Sequence, residues 1–83
     1  MKKDKRIDVR LKSITIDTSI SIGLQMREFR KFLNISDREL AEIIGCHYTL
    51  INYFENPKNS PGSLKFLLQY AKALGVKELK IKL

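Results

Sequence analysis

The chain has 83 residues with one cysteine and one histidine, which leaves no intramolecular disulfide and no structural zinc site to hold a small domain together. Its formal charge is +7 and its pI about 9.8, values that suit a polyanion such as nucleic acid. One core at this size supplies only ~3–5 kcal/mol of net stability, so self-association is the remaining staple and a homodimer is expected.

The charge is unevenly placed. Residues 1–12 hold six basic and two acidic groups, net +4, and residues 77–83 hold three and one, net +2. Residues 13–76 hold seven and six, net +1. A basic end is either a solvated tail or an arm that seeks phosphate. MKKDKR resembles the start of a signal peptide, but Asp8, Arg10, Lys12 and Asp17 interrupt any apolar run after it. No stretch approaches the length of a membrane span, so the expected location is cytoplasmic, with no membrane partner.

In chain order, Ile7, Val9 and Leu11 alternate with charged residues, the period of a half-buried strand. The alternation slips at Ser13 and resumes with Ile14 and Ile16, which marks a bulge or bend. Ser19 or Ser21 caps a first helix carrying Ile22, Met26, Phe29 and Leu33, ending near Asn34. Ser36 with Glu39 forms a capping box for a second helix, with Leu40, Ile43 and Ile44 as its apolar residues and Gly45 as its stop. A third helix runs from about His47 to Glu55 and stops there, because Pro57 disfavours helical geometry at Asn56. Ser63 caps a last helix, Leu64 to Leu74, with Gly75 at its end.

The last helix has two apolar stripes. Leu64, Leu67, Leu68, Ala71 and Leu74 form the expected core face, and Phe66, Tyr70 and Ala73 form a second. A helix apolar on two sides is buried on two sides. Phe66, Tyr70 and Ala73 are therefore expected at a dimer interface, or else they cover a loop or the terminal strands. Leu79, Ile81 and Leu83 alternate with Lys80 and Lys82 as a closing strand. That strand either pairs antiparallel with the first or pairs with its copy in a second subunit, which adds Leu79 and Ile81 to the expected interface.

The predicted fold is thus mainly α, a compact bundle of four to five helices with short terminal β-strands. Its expected divisions are an N-terminal arm or strand, 1–18, a helical domain, 19–76, and a C-terminal strand, 77–83. The window Asp37–Asn56 fits the helix-turn-helix pattern. Ala41 is small where two helices approach, Gly45 lies in the turn, and Leu40, Ile44, Cys46, Ile51 and Phe54 fill the apolar places.

On these residues, from about Ile22 to Val76, the chain resembles the Cro/C1-type (XRE) helix-turn-helix family of lambda-like phage repressors. SDRELAEIIG and LLQYAKALGV carry most of the likeness. The resemblance implies a lambda-repressor-like domain that binds operator DNA as a dimer and regulates transcription, as a repressor. It also implies an ion pair between Arg30 and Glu55, and phosphate contacts from Lys58 and Asn59 after the reading helix. INYFENPKNS followed by a closing strand is similar to HipB-type antitoxins, which implies a toxin protein as a possible partner.

The helical period leaves Tyr48, Thr49, Asn52 and Tyr53 outside, with His47 at the helix start; these are the expected base contacts. Asn can bond adenine bidentately and the Thr methyl can touch a thymine methyl. Backbone N–H groups near Ser36–Arg38 offer an anion site, making Ser36 and Arg38 expected phosphate contacts. Two features depart from the family: Asp37 stands where many relatives have Gln, and ENPKNSPG places Pro57 where Gly is usual.

Cys46 and His47 are neighbours and do not face each other on a helix, so no nucleophile–base dyad forms. Without paired carboxylates or a Gly-rich phosphate loop, no enzymatic activity, cofactor or metal is expected. A protein-interaction module of the same fold, lacking specific DNA binding, is the alternative favoured by Asp37 and the near-neutral middle of the chain.

Overall fold

The computed structural model of the chain describes residues 13–59 and 63–83. The elements run β1 (Ser13–Asp17), α1 (Ile22–Phe32), α2 (Asp37–Ile44), α3 (Tyr48–Glu55), α4 (Leu64–Ala73) and β2 (Glu78–Lys82). The protein is mainly helical, with a short two-stranded sheet beside the helices. No helix among the described residues is long and apolar enough to cross a membrane. The strand pattern at Ile7, Val9 and Leu11 lies outside the described residues, as do the basic groups of positions 1–12.

Local chemistry explains where each helix begins and ends. Ser21, not Ser19, caps α1, its hydroxyl accepting from the Leu24 N–H. Ser36 and Glu39 exchange both capping-box bonds at the start of α2, at 2.9 and 3.0 Å. Ser63 accepts from the Phe66 N–H at the start of α4. At the end of α2, Gly45 takes φ +89°, and the N–H groups of Gly45 and Cys46 both close on the Ala41 carbonyl. A side chain at that φ is strained, which is why glycine ends the helix there.

The two strands are parallel, with Ile14 opposite Leu79 and Ile16 opposite Ile81, which corrects the antiparallel pairing expected within the chain. No tight turn links them, so nothing local dictates an antiparallel direction. All four helices intervene, and the end of α4 delivers β2 alongside β1 in the same sense. Thr18 extends the pairing, its N–H and hydroxyl both donating to the Lys82 carbonyl. The Gln25 side chain then fastens β1 to α1 by bonding both the N–H and the carbonyl of Asp17. The Ser19 hydroxyl and N–H donate to the Asp17 carboxylate and hold its pKa below the ordinary value.

Ile14 and Ile16 are buried in the same core as Met26, Leu33, Leu40, Ile51, Leu67 and Leu74. β1 is therefore an integral wall of the core. Two expectations for the helices change. Leu64 and Leu68 are exposed, because α4 instead buries Leu67, Tyr70, Ala71 and Leu74. Ile43 is likewise exposed, since α2 turns Leu40 and Ala41 inward.

Gly23 explains how closely α1 and α3 cross. A Cβ built there would stand 2.1 Å from the Phe54 carbonyl oxygen and 2.9 Å from Glu55 Cα. Only glycine lets the two backbones approach to this degree.

Candidate nucleic-acid interface

The candidate surface is the outer side of α3, and its geometry begins with what fixes the inner side. Ile51 and Phe54 are buried, and Glu55 at the end of the helix is buried as well. Arg30 of α1 grips Glu55 through two parallel bonds, Nε to Oε2 at 2.8 Å and Nη2 to Oε1 at 2.9 Å. Its remaining Nη1 donates to the Ile35 carbonyl at 2.8 Å. The Tyr70 hydroxyl of α4 donates to the same Glu55 oxygen. One carboxylate thus ties α3 to α1 and α4, and the polar groups that its burial would strand are paired.

The titrations follow from this geometry. The bonds to Glu55 raise the Arg30 pKa, with burial opposing them. Burial, followed by the bond to Glu55, raises the Tyr70 pKa. Phe54 packs against both Phe66 and Tyr70, at ring centroid distances of 5.2 and 5.1 Å.

Thr49, Asn52 and Tyr53 lie exposed on the outer side of α3. His47 is exposed at the N-cap, and its Nδ1 accepts from the Thr49 N–H at 3.3 Å. Tyr48 is different: its half-buried ring packs against the core and stacks on His47 at 4.6 Å, and the Arg38 guanidinium lies 4.0 Å from its centroid. Arg38 is thereby drawn toward the start of α3 by a cation–π contact. Leu50 is exposed and Cys46 half-buried against the core.

The expected phosphate contacts fall at the edges of this surface. Ser36 has its N–H donated to Glu39, which removes that group from the expected anion site. Lys58 is exposed, and the loop that carries it is set by Asn56, whose side chain accepts from the Lys58 N–H. Asn59 is half-buried and donates its amide to the Tyr53 carbonyl at 3.0 Å, so its side chain serves first to fold the loop back on α3. A polar hollow joins the start of α2 to α3, lined by Arg27, Asp37, Asn52 and Asn56. Arg27 was not legible at this hollow from sequence, since one arginine on an amphipathic helix reads as a solvated charge.

The expected dimer residues divide. Tyr70 is fully buried within its own chain, so it has no surface to offer a second copy. Phe66, Ala73 and Leu79 are half-buried against the core, and Ile81 is exposed. Leu64 and Leu68 on α4 and Leu83 after β2 are exposed as well. A shallow groove lined by Leu68, Lys72, Val76, Lys77 and Leu79 connects α4 to β2.

Among the described residues no three His, Cys, Asp or Glu side chains cluster as metal ligands. No family model matches the chain, and neither a curated protein nor a solved structure does.

Proposed function

We propose that the chain is a sequence-specific DNA-binding regulator of transcription, acting as a dimer and reading a major groove with α3 as the second helix of a helix-turn-helix. The observation that carries this reading is the mounting of α3. Its inner side is locked by Ile51, Phe54 and the Arg30–Glu55–Tyr70 cluster, while Thr49, Asn52 and Tyr53 stand exposed. A reading helix needs that combination, because base contacts discriminate only when the side chains are held in register. Repression is the expected outcome when such a dimer occupies a promoter.

Attraction and discrimination fall to different parts of the chain. α3 carries no lysine or arginine, whereas Arg27, Arg38 and Lys58 stand around it and residues 1–12 carry net +4. The dimer surface is best placed on the exposed apolar residues Leu64, Leu68 and Ile81. Antiparallel self-pairing of β2 about Lys80 sets Glu78 opposite Lys82 and Leu79 opposite Ile81, so that two opposite-charge pairs flank the one like-charge pair, Lys80 against its own copy.

The same exposed residues favour a second reading, in which this face docks a protein partner such as a toxin and DNA binding is weak or absent. Titrating binding to duplexes selected from a random pool against salt separates the two. The regulator reading expects a log–log slope of about −0.9 per phosphate contact, summed over several contacts in each protomer. A flat response, or equal affinity for every duplex, rejects it.

A further inference from the structure

The start of α3 contains a hydrogen-bond arrangement that fixes more than a helix cap. A backbone N–H can only donate, so His47 Nδ1 must accept from the Thr49 N–H. In a neutral imidazole one nitrogen accepts and the other carries the proton. The proton therefore sits on Nε2. The Thr49 hydroxyl lies 3.0 Å from the same Nδ1; with the proton on Nε2 it can only donate there, sharing the lone pair with the N–H in a three-centre bond, which leaves its own oxygen lone pairs and methyl as what the exposed side chain can offer. Stacking of the imidazole on Tyr48 holds the ring in this orientation. His47 is exposed, and its Nε2 has no partner among the described residues.

From this geometry we infer that His47 and Thr49 set the polarity of base recognition at the start of α3. His47 presents a fixed donor, and Thr49 two residues on presents an acceptor. In the major groove the base-edge acceptors are guanine O6 and N7, adenine N7 and thymine O4, and the donors are adenine N6 and cytosine N4. His47 therefore takes an acceptor edge and Thr49 a donor edge, an alternation that an outward-facing list of residue types does not contain. The inference rests on the DNA-binding reading above, but its first half concerns the free protein alone.

The tautomer is read directly, because the chain has a single histidine. In the full-length protein labelled with 15N-histidine, a long-range proton–nitrogen NMR spectrum at neutral pH is expected to show an unprotonated Nδ1 and a protonated Nε2. A protonated Nδ1, or a signal averaged between both forms, overturns the inference whatever DNA does.

The second half uses duplexes selected from a random pool, with single bases replaced by 7-deazapurines, by 2-aminopurine for guanine, or by 5-methylpyrimidin-2-one for thymine. One such loss of a major-groove acceptor is expected to weaken wild-type binding about 3–10-fold, the worth of one hydrogen bond. It is expected to leave His47→Ser unaffected, since serine keeps the helix cap while its hydroxyl ends short of the place that the imidazole Nε2 reaches. Thermal melting of the Ser variant checks that its fold is retained, and His47→Asn, which caps and still carries an amide donor, is expected to recover part of the effect. If no acceptor position distinguishes wild type from His47→Ser, or if the difference appears only at a methylphosphonate linkage, base polarity is not set by His47. If no duplex is selected at all, the DNA-binding reading falls, while the tautomer result stands on its own.

Discussion

Glu55→Gln tests whether one carboxylate holds α3 to the rest of the molecule. The substitution keeps the side-chain volume and removes the charge. Glu55 accepts two bonds from Arg30 and one from Tyr70, and the Arg30 side chain is itself nearly enclosed. Removing one partner of a buried pair leaves the other charge uncompensated, at a cost of about 3–5 kcal/mol. Gln still accepts one bond from the guanidinium, which places the expected loss near ~3 kcal/mol. One core of this size supplies ~3–5 kcal/mol of net stability, so the variant is left with a marginal fold. With a urea m-value of about 1 kcal/mol/M for so small a protein, the unfolding midpoint is expected to fall by about 3 M. Replacing the whole cluster, Arg30→Met with Glu55→Leu and Tyr70→Phe, removes the stranded charge together with the hydroxyl that would lose its acceptor, and is expected to cost less than Glu55→Gln alone. A midpoint shift below about 0.5 M for Glu55→Gln, or a triple variant much weaker than the single, would refute the idea that the cluster fixes α3.

Gly23→Ala places a Cβ against the Phe54 carbonyl, a backbone atom that cannot swing aside. A gain of about 1 kcal/mol in helix propensity is expected to be outweighed by overpacking of about 1–3 kcal/mol or more, seen as a lower melting temperature. The pKa of Tyr70 is raised in the fold, so the folded state keeps a proton that the unfolded chain releases above the ordinary value of 10.0. Its contribution to stability is therefore intact below pH 10 and declines above it by about 1.4 kcal/mol per unit. Tyr70→Phe is expected to flatten this part of the alkaline denaturation curve. Leu68→Glu, on the exposed side of α4, is expected to shift the solution mass from dimer toward monomer without changing the circular dichroism of the protomer.

What could be read from the sequence was mostly local. Ser36 with Glu39, Ser63, Gly45 and Gly75 each announce a helix end through their own backbone chemistry, and the helices begin and stop at them. Ser19 and Ser21 were equivalent by type, and only the geometry of the Leu24 N–H distinguishes them. Properties that depend on distant segments were not legible. The direction of β2 relative to β1 is set by the path through four helices, which no alternation of apolar residues encodes. Tyr70 read as part of an outward stripe because periodicity does not reveal a hydroxyl's partner 15 residues away. Once Tyr70 turns inward to Glu55, Leu64 and Leu68 turn outward with the same rotation. Gly23 carried a faint signal, a glycine inside a helical pattern, whose meaning depended on α3 crossing over it.

At the candidate surface the difference is chemical. Sequence position placed Thr49, Asn52 and Tyr53 outward, and they are exposed. It could not foresee that Tyr48 is held beneath Arg38, that the Ser36 N–H is taken by Glu39, or that Asn59 is occupied with the Tyr53 carbonyl.

In the proposed function, exposed side chains of α3 read bases while its inner side keeps them in register. Fluorescence anisotropy of a duplex selected from a random pool, compared with its scrambled counterpart at one fixed salt concentration, tests it most directly. Wild type is expected to prefer the selected duplex by at least about 10³-fold. Asn52→Ala is predicted to lose ~1–3 kcal/mol of that preference at one base pair. Equal affinity for both duplexes, or an Asn52→Ala variant that discriminates as well as wild type, would contradict it.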